Sequence, residues 1–406
     1  MNPKSRFGEF DVKWSVSNAS ALFTIESDKG HPELPVLSAS QELGMIKRDN
    51  IGINMQYSKQ NVASYKHVLP GRFVIHLRSF QGGFAHSAIE GITSPAYTVL
   101  SLKEPRKHDD YFWKYLFTSP DFIKRLEIVT YGIRDGRSIS VDDFFELPFC
   151  YPSSPEEQHK IAQFFYRLDS LIKAEDKKLE KLKNIKSASL EKMFPKQGET
   201  VPQIRFKGFS GGWEQHKLKE ITQRITRKND NLESELTLTI SAQHGLIAQE
   251  DFFNRRIAST QLKGYYLIKN GEFAYNKSYS SEYPVGAIKC LTEYDMGVLS
   301  TLYIVFSLAN HIEPYWFTSY FETSIWHSEI LKRAAEGARN HGLLNISSDD
   351  FFDIPIFIPK DKDEQIIISK YFSRLDSLIS AQEQKVEKLR SLKKSFLEKM
   401  FVSNPK

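Results

Sequence analysis

At 406 residues the chain is too long for one ordinary core, so two domains with connecting elements are expected. Hydrophobic residues at 40% and charged residues at 26% exclude collagenous, mucin-like and wholly disordered chains, and only two cysteines exclude a disulfide scaffold or a cysteine-rich zinc module. A formal net charge of +5 permits nucleic acid as a partner without establishing it, and no apolar run approaches the roughly 20 residues that a membrane span needs, so a cytoplasmic protein is expected.

In chain order, a polar leader carries Arg6, Phe7, Phe10 and Trp14. Short β-branched runs at 72–77 and 97–102, broken by Gly, Pro, Asn and Ser, predict a mixed, strand-rich module. Aromatics at helical spacing predict a short helix over 110–118, and a strand over 147–151 closes at Pro152. From 157 to 194 Gly and Pro vanish and Lys, Glu and Leu dominate, which predicts a long helix. The order then repeats: a leader with Arg205, Phe206, Phe209 and Trp213, a strand-rich module with a strand at 302–306 and a helix at 313–332, a strand at 354–358 closed by Pro359, and a long helix at 364–401.

This is an internal duplication. Ile139-Ser-Val-Asp-Asp-Phe-Phe-Glu-Leu-Pro148 returns as Ile346-Ser-Ser-Asp-Asp-Phe-Phe-Asp-Ile-Pro355, and Arg167-Leu-Asp-Ser-Leu-Ile172 as Arg374-Leu-Asp-Ser-Leu-Ile379. About half of the positions between 138 and 194 are identical in the second copy without a gap. The preceding segments match only at anchors: Ser38-Ala39 with Ser241-Ala242; Tyr65, Gly71 and Phe73 with Tyr265, Gly271 and Phe273; Ser94, Tyr97 and Val99 with Ser300, Tyr303 and Val305. Each half is thus a variable module followed by a nearly constant one. Four regions result: modules at 1–152 and 199–359, helical regions at 153–198 and 360–406.

Heptads place Phe165, Ile172, Leu179, Lys186 and Met193 at a, with Ile161, Leu168, Glu175, Leu182 and Ser189 at d; the second copy repeats this phase. A parallel pairing in equal register sets Lys186 against Lys393. An antiparallel pairing in which residue i faces residue 568 minus i joins apolar layers to apolar layers and sets Glu175 against Lys393 and Lys186 against Gln382. An α+β chain is expected, with two strand-rich modules separated by two long helices in an antiparallel coiled coil, related by a pseudo-twofold repeat.

The Pro-x-x-x-acid-Glu-Gln openings at Pro152 to Gln158 and Pro359 to Gln365, the Phe-x-Arg-Leu-Asp-Ser-Leu-Ile blocks and the leader Pro202-Gln-Ile-Arg-Phe-Lys-Gly-Phe-x-x-x-Trp213 resemble specificity subunits of type I restriction-modification systems over nearly the whole chain. Tyr275-Asn-Lys-Ser-Tyr-Ser280 through Gly286-Ala-Ile-Lys289 is similar to a target-recognition domain of that family, whereas the first module has Ile75-His-Leu-Arg-Ser-Phe80 there. The resemblance implies a non-catalytic reader of bipartite double-stranded DNA. Its helices would set the spacing and seat two methyltransferase subunits; these, and not this chain, would carry S-adenosylmethionine, and restriction or translocase subunits would join them. The sequence has no Asn/Asp-Pro-Pro-Tyr/Phe, no phosphate-binding Gly-x-x-x-x-Gly-Lys-Ser/Thr loop and no His-Glu-x-x-His. The competing reading is a symmetric coiled-coil scaffold for proteins, against which the divergence of the two modules argues.

Base reading needs side chains that reach base edges, supported by cations on phosphate. Candidates in the second module are Arg255, Arg256, Asn276, Lys277, Ser278, Tyr279, Arg339, Asn340 and His341; in the first, Lys47, Arg48, Tyr57, Lys59, Gln60, Arg78, Arg134 and Arg137. Glu157, Gln158, Glu364 and Gln365 suit helix N-terminal chemistry and, being duplicated, are candidates for partner binding. Trp113 and Trp316 are expected in cores. His31, His67, His244 and His341 are read as having no carboxylate or cysteine at ligand spacing, so no metal is expected.

Overall fold

The β-branched runs of the first module become short antiparallel strands. The sheet order is Phe23–Glu26, Thr98–Leu102, Phe73–Ile75 and Phe84–His86. The computed structural model describes residues 2–40, 43–51, 59–75, 83–126, 130–131, 138–241, 245–253, 262–281, 283–334 and 342–402. The chain divides into two units, Met1–Lys177 with Glu383–Lys406, and Lys178–Gln382.

In the first unit, successive side chains of Phe73–Ile75 point to opposite faces, and both faces are covered. Phe73 and Ile75 join the main core with Phe23, Trp113, Phe117, Phe144 and Phe149, while Val74 packs in a second cluster with Leu37, Met45 and Val99. The helix Asp110–Phe117 lies in the main core, its first turn held by Asp109, whose carboxylate accepts from the Phe112 amide. Trp113 meets Phe23 edge-on at 5.1 Å, and Phe117 meets Phe73 edge-on at 5.2 Å; such pairs add about 0.5–1.5 kcal/mol beyond the area they bury.

The second unit repeats this plan strand for strand, in the order Thr222–Ile225, Ile304–Leu308, Phe273–Asn276 and Ala287–Cys290. Phe273 and Tyr275 enter the main core with Trp316, while Ala274 joins a second cluster with Leu238 and Val305. The hairpin Leu37–Ser40 with Gly44–Lys47 corresponds to Leu238–Ser241 with Gly245–Ala248, so Ser40, not Ser38, matches Ser241. The helix expected over 313–332 is two helices, Pro314–Phe321 and His327–Arg333. Between them the Thr323 hydroxyl donates to the Tyr320 carbonyl at 2.6 Å and the Trp326 ring N–H to that of Phe321 at 3.1 Å. These bonds satisfy end carbonyls of the first helix and let Trp326 turn into the core.

In each unit the leader pairs antiparallel with the strand that precedes a long helix: Ser15–Asn18 with Pro148–Tyr151, and Glu214–Lys217 with Pro355–Ile358. The long helices are Pro155–Lys192 and Lys362–Met400, each beginning two residues before its expected start. Pro155 needs no amide partner in a first turn, and the Ser154 hydroxyl accepts from the Glu157 amide at 3.3 Å.

The helix segments within each unit run antiparallel, as expected. In the first unit Phe164 meets Phe396 and Phe165 meets Phe401; in the second, Phe194 meets Phe372, and the Ser189 and Tyr371 hydroxyls are 2.8 Å apart. The register differs from the expected one. Glu175 pairs with Lys385 at 3.0 Å, Lys393 pairs with Asp169 at 2.5 Å, and Lys186 pairs with Asp376 rather than Gln382. Matching polar layers between two isolated helices failed because the globular modules supply further partners for the same charges.

Candidate nucleic-acid interface

The second module presents its candidates at the end of a sheet strand. Phe273–Asn276 finishes at Asn276, whose side-chain oxygen accepts from the Ser278 amide at 3.0 Å and so folds the chain into a turn. The turn is tied to a distant segment: the Leu344 amide donates to the Lys277 carbonyl at 2.9 Å and the Tyr279 amide to the Gly342 carbonyl at 3.1 Å. Gly286 holds the other side of the loop. At φ +81°, a Cβ there would lie 2.1 Å from the Asn276 carbonyl oxygen, so only glycine allows this approach.

Lys277 and Arg224 line one small recess of about 50 Å³ together with Tyr303 and Ser348. Two cations beside a ring edge and a hydroxyl suit a phosphate and its neighbouring sugar. The larger adjoining groove of about 490 Å³ shares Arg224 but is lined by Asp349, Asp350 and Asp353 as well, which repel phosphate. The anion-compatible chemistry is therefore on the Lys277 side.

In the first module Lys47 is exposed at the end of Gly44–Lys47. Arg48 begins the following 3-10 turn, and its Nε donates to the Ser38 hydroxyl at 3.1 Å. Lys59 and Gln60 open the 3-10 helix Lys59–Ser64. Tyr57, Arg78, Arg134, Arg137, Arg255, Arg256, Arg339, Asn340 and His341 lie outside the described residues. Asn276, Lys277, Ser278 and Tyr279 are thus brought against Gly342–Leu344, a convergence of segments that are more than 60 residues apart in sequence.

Glu157, Gln158, Glu364 and Gln365 are buried, each 3% exposed or less, and their polar atoms are engaged within the chain. The Arg6 guanidinium donates twice to Glu157, at 2.6 and 2.7 Å, and Arg205 does the same to Glu364 at the same distances. The Gln158 side-chain oxygen accepts from the Asp109 amide at 3.0 Å, and that of Gln365 from the Glu313 amide at 3.0 Å. Leader, helix start and aromatic helix are locked by one repeated set of bonds. The duplicated Glu-Gln pair thus makes the same contacts within each unit.

A second repeated set joins the helix pair to the modules. Asp169 accepts from the Tyr115 hydroxyl at 2.9 Å and pairs with Lys393; Asp376 accepts from the Tyr315 hydroxyl at 2.7 Å and pairs with Lys186 at 2.7 Å. Lys186 also reaches Glu322 at 2.7 Å. Burial alone would lower the Lys186 pKa, but Glu322 and Asp376 raise it above the ordinary lysine value. Burial, then the adjacent aspartate, pushes both tyrosine hydroxyls up, so they remain donors. The sequence carried the signal: both Arg-Leu-Asp-Ser-Leu-Ile aspartates and both a-position lysines recur. Their tyrosine partners sit in the variable modules and could not be matched by alignment.

No family model matches the sequence, and no curated protein does. Solved structures do match in fold. The S subunit of a type I restriction-modification system from M. genitalium superposes with a TM-score of 0.61 at 16% identity, covering 100% of both chains. A structure from work on complex assembly and conformational transition of the type I R-M system gives 0.55 at 14% identity, covering 96% of this chain and 98% of that one. The chain has the fold of these proteins from end to end.

Proposed function

We propose that this chain is the DNA-specificity subunit of a type I restriction-modification complex, in which each variable module reads one half of a bipartite double-stranded target. The observation that carries this reading is one architecture built twice with different loop chemistry. Both modules share strand order and both junction networks, yet Asn276-Lys-Ser-Tyr279 of the second has no counterpart in the first. A protein scaffold with two equivalent ends would keep its loops alike. The fold shared with S subunits supports the same choice.

In this proposal the long helices set the spacing of the readers and seat two methyltransferase subunits. Leu171 and Leu378, and Ile185 and Leu392, are exposed apolar residues at repeat-equivalent positions on those helices and suit such seating. Glu157, Gln158, Glu364 and Gln365 act indirectly, by fixing where each helix starts relative to its module. The chain itself is non-catalytic and does not carry S-adenosylmethionine, which belongs to the methyltransferase subunits, and restriction or translocase subunits complete the complex. No helix among the described residues is long and apolar enough to cross a membrane.

The test is selection from a random-sequence duplex pool, with and without methyltransferase subunits. A two-part motif with a fixed gap is expected from the complex. Enrichment of no motif, with stable protein-protein assembly, would replace the proposal with the scaffold reading.

A further inference from the structure

The histidines expected to bear no metal include two that the fold brings to one carboxylate. Asp28 precedes a loop that carries His31, and His67 lies in the strand Lys66–Val68. Asp28 Oδ2 is 3.0 Å from His31 Nε2 and 2.9 Å from His67 Nδ1, and the three ligand atoms lie within 4.8 Å of one another. The scaffold is fixed by backbone: the His67 amide donates to the Asp28 carbonyl at 2.8 Å, and Lys29 bridges Lys66. The imidazole rings have centroids 4.2 Å apart and are tilted by 34°.

Each ring has a second carboxylate on its other nitrogen. His67 Nε2 is 2.9 Å from Glu90 Oε1, and His31 Nδ1 is 3.7 Å from Glu33 Oε1. On His67 the Glu90 carboxylate is within hydrogen-bond distance, which fixes the tautomer that offers the Nδ1 lone pair inward and makes that imidazole a better donor, as in histidines that ligate metals; Glu33 lies beyond hydrogen-bond distance of His31 and adds only its charge. Three carboxylates against two imidazoles leave the cluster negative when the rings are neutral. The nearest strand lysine is turned away, since alternation puts Lys66 on the opposite face from His67, where its ammonium donates to the Tyr97 carbonyl at 2.6 Å.

We propose that Asp28, His31 and His67 bind one divalent transition cation, zinc foremost, with water in the fourth position. Two nitrogens and one carboxylate oxygen suit zinc and not magnesium, which prefers oxygen ligands and retains its waters. Bonds of about 2.0–2.2 Å put tetrahedral ligand atoms roughly 3.3 Å apart, so the 2.9 and 3.0 Å spacings to Asp28 widen by a few tenths of an ångström and the two nitrogens, within 4.8 Å of one another, settle at the same separation. Asp28 and His31 are solvent-accessible, which gives the ion an entry path. The bound cation clips the loop after Asp28 to the sheet of Lys66–Val68 and Gly91–Thr93. The site is independent of the DNA-reading proposal.

The test uses the untagged full-length chain, stripped with a chelator and titrated with zinc sulfate or magnesium chloride by calorimetry. One saturable zinc site per chain is expected, with a raised thermal midpoint and no response to magnesium. Asp28→Asn and His31→Ala should abolish the site and the zinc-induced shift, each variant's midpoint being compared with and without zinc because Asp28 also bonds His67 in the metal-free chain. Glu90→Gln should weaken binding by about tenfold through His67. No saturable binding at one zinc per chain, or equal zinc affinity in both ligand variants, would overturn the proposal.

Discussion

Lys186→Met isolates what the helix pair contributes in the second unit. The ammonium lies 2.7 Å from both Asp376 and Glu322, and its side chain is only 19% exposed. At an effective dielectric of about 20, each contact is worth roughly 6 kcal/mol of gross attraction, most of which desolvation and screening cancel. Truncation leaves two partly buried carboxylates facing the same space, with only Lys289 among the described residues, 3.9 Å from Glu322, as a nearby cation. The expected cost is about 2–3 kcal/mol, or roughly 4–10 °C in the unfolding midpoint of a unit this size. Asp376→Asn should cost less in the Lys186→Met background than in the unmodified chain, with a coupling of about 1 kcal/mol or more. The same cycle on Glu175 and Lys393 should be additive to within about 0.5 kcal/mol, since their partners are Lys385 and Asp169. Urea unfolding followed by near-ultraviolet circular dichroism reads both cycles. Additivity at Lys186 and Asp376, or coupling at Glu175 and Lys393, would refute the register.

Three further outcomes follow from the geometry. Lys277→Ala should weaken binding to all DNA sequences about equally and make the salt dependence shallower by about one unit, read from binding isotherms across salt concentrations. Glu364→Gln should destabilise the second unit by about 2–3 kcal/mol, because the partly buried Arg205 loses its carboxylate, and Arg205→Met in that background should recover part of the loss in a denaturant titration. Burial alone would lower the His67 pKa, but its hydrogen bonds to Asp28 and Glu90, and their charges, raise it above the ordinary imidazole value of about 6.5. Protonated His67 therefore stabilises the metal-free chain fully below that value. The contribution is lost as pH rises through the raised pKa, and His67→Gln should flatten this part of the thermal midpoint against pH.

The long helices were legible because nothing within them opposed helix formation and because duplication displayed the same pattern twice. Polarity was legible for the same reason: only an antiparallel pairing brings each a-position lysine to the opposite copy's Asp169 or Asp376. Register was not, because Tyr115, Tyr315 and Glu322 of the modules compete for the same charges, and heptads contain none of them. Sheet strands such as Phe73–Ile75 and Phe273–Asn276 were shorter and less alternating than a half-buried strand, since cores cover both faces. In the second module, the turn around Lys277 was visible as a motif, whereas its union with Gly342–Leu344 depends on tertiary hydrogen bonds. His31 and His67 were read as having no carboxylate at ligand spacing because their shared partner Asp28 lies 39 residues from His67, which a strand brings to it.

The central claim is that the two modules read DNA independently. Replacing residues 2–147 with a second copy of 199–354 gives a chain with the same reader twice and both junction networks intact. Selection from random-sequence duplexes, in complex with methyltransferase subunits, should return a target in which the half-site of the second module occurs twice and that of the first is gone. A target that keeps both original halves, or that keeps neither, would contradict the account.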